Sequence, residues 1–293
     1  MMKKLLLLIT LTFCLPHFKC RAQIIRSYLF DSPDFIILHK NISKFSTLDT
    51  SFLNITYQLS FVEDTTLTDK DKFLNDIMLL QIGRNYSKFF SLKRYHNDSI
   101  CTKLLERTFQ IPLAGSAVQG YEIYHNIKNN KLTVTNRIPF SSKVYEYEED
   151  GGTVKWILQK GKDTILGYIC NKATAYFHGR HYTACYTMDI PSHLGPWKFS
   201  GLPGLILKIN DDKNEYVFEC SGISQQPEPI VRYDWKYEKI SKKRWMEFEK
   251  HIYENAGRYI ESTGERVSIY NNGKHEKIPL TWKKNYNPIE KVY

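Results

Sequence analysis

The chain has 293 residues, of which 42% are hydrophobic and 25% charged, a balance that excludes a disordered chain and suits a folded one. Aromatics reach 14%, with 20 Tyr and 16 Phe, more than a helical bundle needs, and so point to strands. The formal charge of +10 comes from Lys and Arg scattered among acids. With no arginine-rich arm, zinc spacing or RNP-like motif, this argues against a nucleic-acid partner.

At the N-terminus, Lys3 and Lys4 precede an apolar run from Leu5 to Leu15, then Pro16 and the small-x-small site Cys20-Arg21-Ala22. This predicts a cleavable export signal over residues 1–22, cut after Ala22. Lys19, not a small residue, precedes Cys20, so a lipoprotein is not expected. Cleavage removes Lys3, Lys4, Lys19 and Arg21 and no acid, taking the charge from +10 to +6. No later stretch has transmembrane length, so residues 23–293 read as one domain in the periplasm or cell envelope. Four cysteines remain, Cys101, Cys170, Cys185 and Cys220, an even set that an oxidising compartment permits to pair in three ways.

Along the mature chain, strands are expected at Tyr28–Phe30, Phe35–Leu38 and Ile55–Val62, the last from its alternation. Ile77–Gly83 and Tyr86–Ser91 read as a hairpin, and Ser99–Gln110 as a short helix from the spacing of Ile100, Lys103, Leu104 and Arg107. Pro112–Gly120 reads as a loop. Tyr121–Ile127 and Leu132–Ile138 flank one hairpin loop; Lys143–Glu148 and Thr153–Gln159 flank Asp150-Gly151-Gly152, read as another. Near the C-terminus, Ser241 caps a helix to about Tyr259, with Trp245, Phe248, Ile252 and Ala256 on one face. Strands at short intervals without helical crossovers predict a mainly β, antiparallel, curved or open-barrel-like sheet of hairpins with a C-terminal helix and one short internal helix.

The densest turn chemistry lies between Ile165 and Ile223. A type II′ turn at Gly179-Arg180 would set His178 opposite His181, with Ala173, Ala175, Phe177, Tyr182, Ala184 and Tyr186 on the core face. Lys172, Thr174, Tyr176, Thr183 and Cys185 then share the polar face, with Cys170 about 13 Å along the ladder from Cys185 and out of bonding range. His178 and His181 would form a cross-strand pair, with His193 or Asp189 as a third ligand if a metal bound there. Gly195, Pro196, Trp197, Gly201, Leu202, Pro203 and Gly204 form a fixed loop and tight turn. From it leave Leu205–Ile209 and, after a reversal at Asp211–Asn214, Glu215–Cys220, with Lys208 and Glu219 on the solvent side. Arg180, Trp197, Lys198 and Tyr176 are the candidate ligand-binding residues beside this turn.

The words GPWKFSGLPGLIL, preceded by GYICNKATAYFHGRHYTACYTMDIP, resemble the motif of the GLPGLI family of Bacteroidetes cell-envelope proteins, a family without an assigned activity. The resemblance implies an envelope location and a link to TonB-dependent receptors. The expected function is therefore non-enzymatic: binding of a peptide, a lipid or an outer-membrane transporter partner, without a cofactor. The alternative is a metal-assisted or other hydrolase built on His178, His181 and His193; no G-x-S-x-G, H-E-x-x-H or partnered S-x-x-K motif supports it.

Overall fold

The structure, a computed structural model, describes residues 27–30, 37–67, 73–107, 118–264, 266–271 and 274–292. The expected export signal and most of the Pro112–Gly120 loop lie outside these residues. The strands are β1 (Ser27–Phe30), β2 (Phe45–Val62), β3 (Phe73–Gly83), β4 (Tyr86–Ser91), β5 (Tyr121–Asn126), β6 (Lys131–Arg137), β7 (Val144–Asp150), β8 (Ile157–Ile165), β9 (Tyr168–Phe177), β10 (Arg180–Thr187), β11 (Leu205–Asp211), β12 (Tyr216–Ser224), β13 (Glu228–Tyr233), β14 (Tyr237–Lys239), β15 (Arg266–Asn271) and β16 (Lys274–Lys277). The helices are α1 (Leu92–Leu105), α2 (Lys242–Glu254) and α3 (Ala256–Thr263). Among the described residues no helix is long and apolar enough to cross a membrane.

The main sheet holds 13 strands in the order β14-β7-β6-β5-β4-β3-β2-β12-β11-β10-β9-β8, with β13 continuing along the first half of β2. It is mainly β, as the sequence predicts, and open. It is mixed and not wholly antiparallel, because β14 runs parallel to β7. A small second sheet, β1-β15-β16, includes the expected Tyr28–Phe30 strand, paired in parallel with β15.

Alternation decides the two faces of the main sheet. On β2, Leu53, Ile55, Tyr57, Leu59 and Phe61 are buried while Phe52 and Gln58 are exposed. The inward row joins Met78, Leu80, Ile82, Phe89, Ile123 and Val134 in one core with Leu205, Leu207, Ile209 and Phe218. Each such aliphatic side chain contributes about 1.5–3 kcal/mol by leaving water. The β11–β12 register is the one the alternation requires, Lys208 opposite Glu219 and Ile209 opposite Phe218, with Lys208 and Glu219 bridged at 2.7 Å.

Four expectations change. First, β7 and β8 do not form a hairpin: β7 pairs with β6 and β14, whereas β8 pairs with β9 at the far end of the sheet. Asp150-Gly151-Gly152 has the chemistry of a tight turn, but residues 151–156 bridge the sheet's two ends. Second, α1 starts at Leu92, where the Ser91 hydroxyl accepts from the Arg94 N–H. Its buried face is Arg94, Asp98, Cys101 and Thr102, so a polar stripe replaces the apolar periodicity that marks most helices. Third, the C-terminal helix is capped by Ser241 as expected but breaks at Asn255 into α2 and α3. Gly257 follows the break; its N–H donates to the Trp282 carbonyl at 3.0 Å. Fourth, of the strand expected at Phe35–Leu38, Phe35 and Ile36 lie outside the described residues and Ile37 and Leu38 are irregular; the first half of β2, rich in Ser, Thr and Asp, lacks the apolar alternation that marks a strand.

The outer face is covered by α1 and by the β13–β14 crossing, and its core is charged. Lys88 and Arg94 each bridge Glu122 at 3.2 Å, and Arg137 forks onto Asp98. Burial alone would raise the Glu122 carboxyl; Lys88 and Arg94 outweigh it and hold it at about 2.

Close backbone approach explains one glycine of the motif. A Cβ on Gly204 would lie 2.0 Å from the Thr187 carbonyl oxygen, whereas one on Gly222 meets nothing nearer than Thr56 at 3.9 Å. Gly204→Ala is therefore expected to cost about 1–3 kcal/mol in urea unfolding, and Gly222→Ala less than 1 kcal/mol.

Candidate functional site

The loop from Asp189 to Gly204 plugs one end of the curved sheet. Trp197 takes the left-handed conformation (φ 54°), an uncommon one for a bulky residue, and packs on Phe199 (5.1 Å between ring centroids), His178 (5.6 Å) and Phe177 (6.0 Å). Gly201 (φ 95°) makes the turn that returns Leu202 to the core, where it is 1% exposed. The link between the sheet's ends meets this plug: the Trp156 indole N–H donates to the Ser200 carbonyl at 2.8 Å. Gly195, Pro196 and Gly204 are buried in it, and Pro203 is exposed.

Lys198 points into the interior. Its ammonium bridges Glu149 at the end of β7 (2.5 Å) and Glu290 in the C-terminal tail (2.6 Å), and lies near the Tyr147 hydroxyl. Lys242, in the first turn of α2, reaches the same two carboxylates. Burial alone would raise the Glu290 carboxyl, but the His178 hydrogen bond and the charge of Lys198 hold it well below the usual range.

Arg180 is 3% exposed, and both of its terminal nitrogens are engaged with protein, whereas its Nε has no partner. Its guanidinium donates to Asp211 and Glu215 (both 2.7 Å), and to the Asn287 side chain and the Pro288 carbonyl (both 2.7 Å). It fastens the tail to the sheet and does not itself line the interior cavity described below, although its partners Asn287 and Pro288 do. Tyr176, another candidate, is 60% exposed on the outer face, beside His181 at 4.8 Å.

The histidines do not converge. The β9–β10 turn is His178-Gly179, both with positive φ (47° and 86°), a type I′ geometry in place of the expected type II′. Arg180 thus faces Phe177 and His181 faces Tyr176, while Ala173, Ala175, Tyr182 and Ala184 keep the core face. His178 bonds Glu290 at 3.0 Å, and His193 bonds the Leu202 carbonyl within the loop at 3.0 Å. No three His, Cys, Asp or Glu among the described residues are grouped to hold a metal. The same register places Cys170 diagonal to Cys185, about 7–8 Å away by Cα, nearer than expected but beyond bonding range. All four cysteines are buried, with Cys170, Cys185 and Cys220 present as thiols; burial pushes Cys170 and Cys220 up to about 11.

Between the concave face and the lid of α2 and the tail lies a cavity of about 140 Å³. Trp197 and Lys198 lie in its wall, with Tyr121, Ile123 and Asn136 from the sheet, Trp245, Glu249 and Tyr253 from α2, and Tyr286 from the tail. Glu249 accepts from the Tyr286 hydroxyl at 3.0 Å. Burial pushes its carboxyl up to about 7, against that hydrogen bond and with the nearby charge of Glu290 adding to the rise. Asn136 Nδ2 and the Tyr121 hydroxyl are buried there without a hydrogen-bond partner. The sequence reading overlooked these residues. The usable signal was Glu249 itself, an acid one turn from both Trp245 and Ile252 in the apolar stripe of α2.

Residues 178–208, the β9–β10 turn through the motif, match a family model described as "Protein of unknown function (Porph_ging)", a Bacteroidetes-associated family. No curated protein matches the chain. Among solved structures it is similar to PNGF-II in two crystal forms, P21 and C2, each at 16% identity and a TM-score of 0.45. The alignment covers 68% of this chain and 32% of PNGF-II, so the chain spans about a third of that protein's length.

Two outcomes follow from this geometry. Lys198→Met leaves Glu149 and Glu290 buried with Lys242 as their remaining lysine, and is expected to destabilise by about 3–5 kcal/mol in chemical unfolding. Glu249 binds its proton more tightly folded than unfolded, so its stabilising contribution is complete below pH 4.5 and is lost as the pH rises through about 7. Thermal melts of Glu249→Gln should match wild type near pH 4.5 and exceed it by pH 8, by on the order of 1–3 kcal/mol.

Proposed function

We propose that this chain is an exported, non-enzymatic binding protein of the cell envelope, and that its ligand is a small molecule held between the concave sheet and the α2–tail lid. The observation that carries this reading is the cavity, with Asn136 Nδ2 and the Tyr121 hydroxyl left without protein partners in its wall. Buried polar atoms of this kind cost free energy unless something satisfies them, and a ligand or water is what remains to do so. A concave, ring-lined site with few polar groups is the usual form of a small-molecule site. The metal-assisted hydrolase reading loses support because His178, His181 and His193 stand apart.

A transporter partner, the accessory role that the GLPGLI resemblance implies, has a surface that suits it. β8 is an edge strand whose residues Ile157 and Leu158 are 65% and 64% exposed. Exposed apolar edges of this kind are open to strand pairing with another chain.

The ligand reading is tested by equilibrium dialysis of the mature protein against a small-molecule extract of the producing cells. Wild type should retain at least one component that an Ile123→Phe variant, with the cavity filled and folding checked by thermal melt, retains at least tenfold less. Equal retention by the two proteins overturns the reading.

A further inference from the structure

The charges that line the cavity are matched, with one exception. Arg137 is held by Asp98, and Lys198 by Glu149 and Glu290. Glu63 is bridged by Lys284 at 2.8 Å, and Glu290 also meets Lys242 and His178. Glu249 has a neutral tyrosine, Tyr286, as its hydrogen-bond donor and, among the described residues, bridges to no cation. The one cation that faces it, Lys198, is already committed to Glu149 and Glu290, so a half-buried carboxyl without an ion-pair partner is costly when ionised, and the cost is removed most simply by a cation brought in from outside.

The walls suit such a guest. Tyr147, Trp245, Tyr253 and Tyr286 line the same space as Glu249, and aromatic faces attract ammonium groups, more so when water is excluded. A second, independent observation concerns the other end of the guest. Asn136 is 6% exposed, and its Nδ2 donor has no acceptor in the protein although the residue lines the cavity. A guest with an oxygen acceptor would satisfy it. The volume, about 140 Å³, is close to that of engineered cavities that hold benzene, which limits the guest to roughly six to eight non-hydrogen atoms.

We propose that the cavity takes a small organic cation, with its ammonium group against the Glu249 carboxylate and aromatic rings, and an oxygen acceptor on Asn136. This rests on the binding reading above and gives the ligand its chemical class. Below about pH 7, binding then releases the proton that Glu249 carries when the cavity is empty. The groups facing Glu249 are Tyr286 and Glu290 from the tail, Lys198 from the plug, Tyr147 from β7, Tyr216 from β12 and Tyr253 from its own helix. Burial raises the four tyrosines well above neutral pH, and Glu290 is held well below it. Of these groups Glu249 is the one raised into the range between pH 5 and pH 8, and a His178→Gln variant serves as the control for the histidine that meets Glu290.

The test compares three probes of nearly one shape on the full mature chain: choline, its neutral isostere 3,3-dimethyl-1-butanol, and the anion 3,3-dimethylbutanoate. Binding is followed by the fluorescence of the cavity tryptophans Trp197 and Trp245. At pH 8 choline should bind at least tenfold more tightly than the alcohol, and the anion most weakly. At pH 5 the preference for choline should shrink to within about threefold, and His178→Gln should keep the wild-type pattern. Glu249→Gln should abolish the preference at pH 8 while still binding the alcohol. Asn136→Leu should weaken choline and the alcohol by the same factor. If the alcohol or the anion equals choline at pH 8, or if the preference does not vary with pH in wild type, the cation assignment is overturned. Should none of the probes bind while wild type retains an extract component that the Ile123→Phe variant loses, the cation class fails and the binding reading stands. Failure of both experiments removes both. The wild-type pH series decides the matter even if a variant does not fold.

Discussion

One buried ammonium ties the molecule together. Lys198 sits where the plug, the end of β7, the start of α2 and the C-terminal tail meet, and it bridges carboxylates from two of them. A lysine taken out of water at this point is tolerable because Glu149 and Glu290 face it at hydrogen-bonding distance. In return, elements distant in sequence are held in one arrangement, since each carboxylate left alone would be a buried charge. The cavity is what this arrangement encloses: its sheet wall, its lid and its plug are all fixed by reference to Lys198. The motif around residues 195–204 is thus an architectural device first, and its Trp197 and Lys198 reach the interior as part of the same device.

The two faces of the sheet solve burial differently. The concave face is apolar and aromatic, and the tail closes it through Arg180, whose donors reach both the sheet and the Asn287-Pro288 stretch. On the convex face, charges lie beneath α1 and the β13–β14 crossing. Lys88, Arg94, Glu122, Asp98 and Arg137 are each at most 5% exposed there, and each is matched by an opposite charge. Such a network contributes less net stability than an apolar core, yet it penalises any other register strongly, because a slip would strand a charge. The long β2 strand serves both faces, which explains why its first half carries Ser and Thr and its second half alternates cleanly.

Local patterns made much of the fold legible. The β11–β12 and β5–β6 hairpins follow from alternation beside a tight turn, and Ser241 marks the start of α2 by its hydroxyl. What stayed hidden depends on partners far along the chain. Asp150-Gly151-Gly152 has turn chemistry, but nothing local says that the strand after it belongs to the other end of the sheet. The face of α1 is buried through ion pairs, so apolar periodicity could not reveal it. At the site, aromatic and turn residues flagged Trp197 and Lys198, whereas Arg180 looked free only because its partners Asp211, Glu215 and Asn287 are distant in sequence. The histidine pair failed on a single turn type: His178 itself adopts a positive φ, so its ring leaves the ladder.

The link that joins β7 to β8 has a mechanical meaning. Seven residue steps separate Asp150 from Ile157, and a chain of that length spans at most about 25 Å. The two ends of a long curved sheet are therefore strung like a bow, and the curvature cannot relax beyond the length of the string. A sheet of this kind resists flattening without needing the closed ring of hydrogen bonds that a full barrel uses. Compliance is left to the lid, the α2–tail side, where side chains and not a strand ladder hold the enclosure shut.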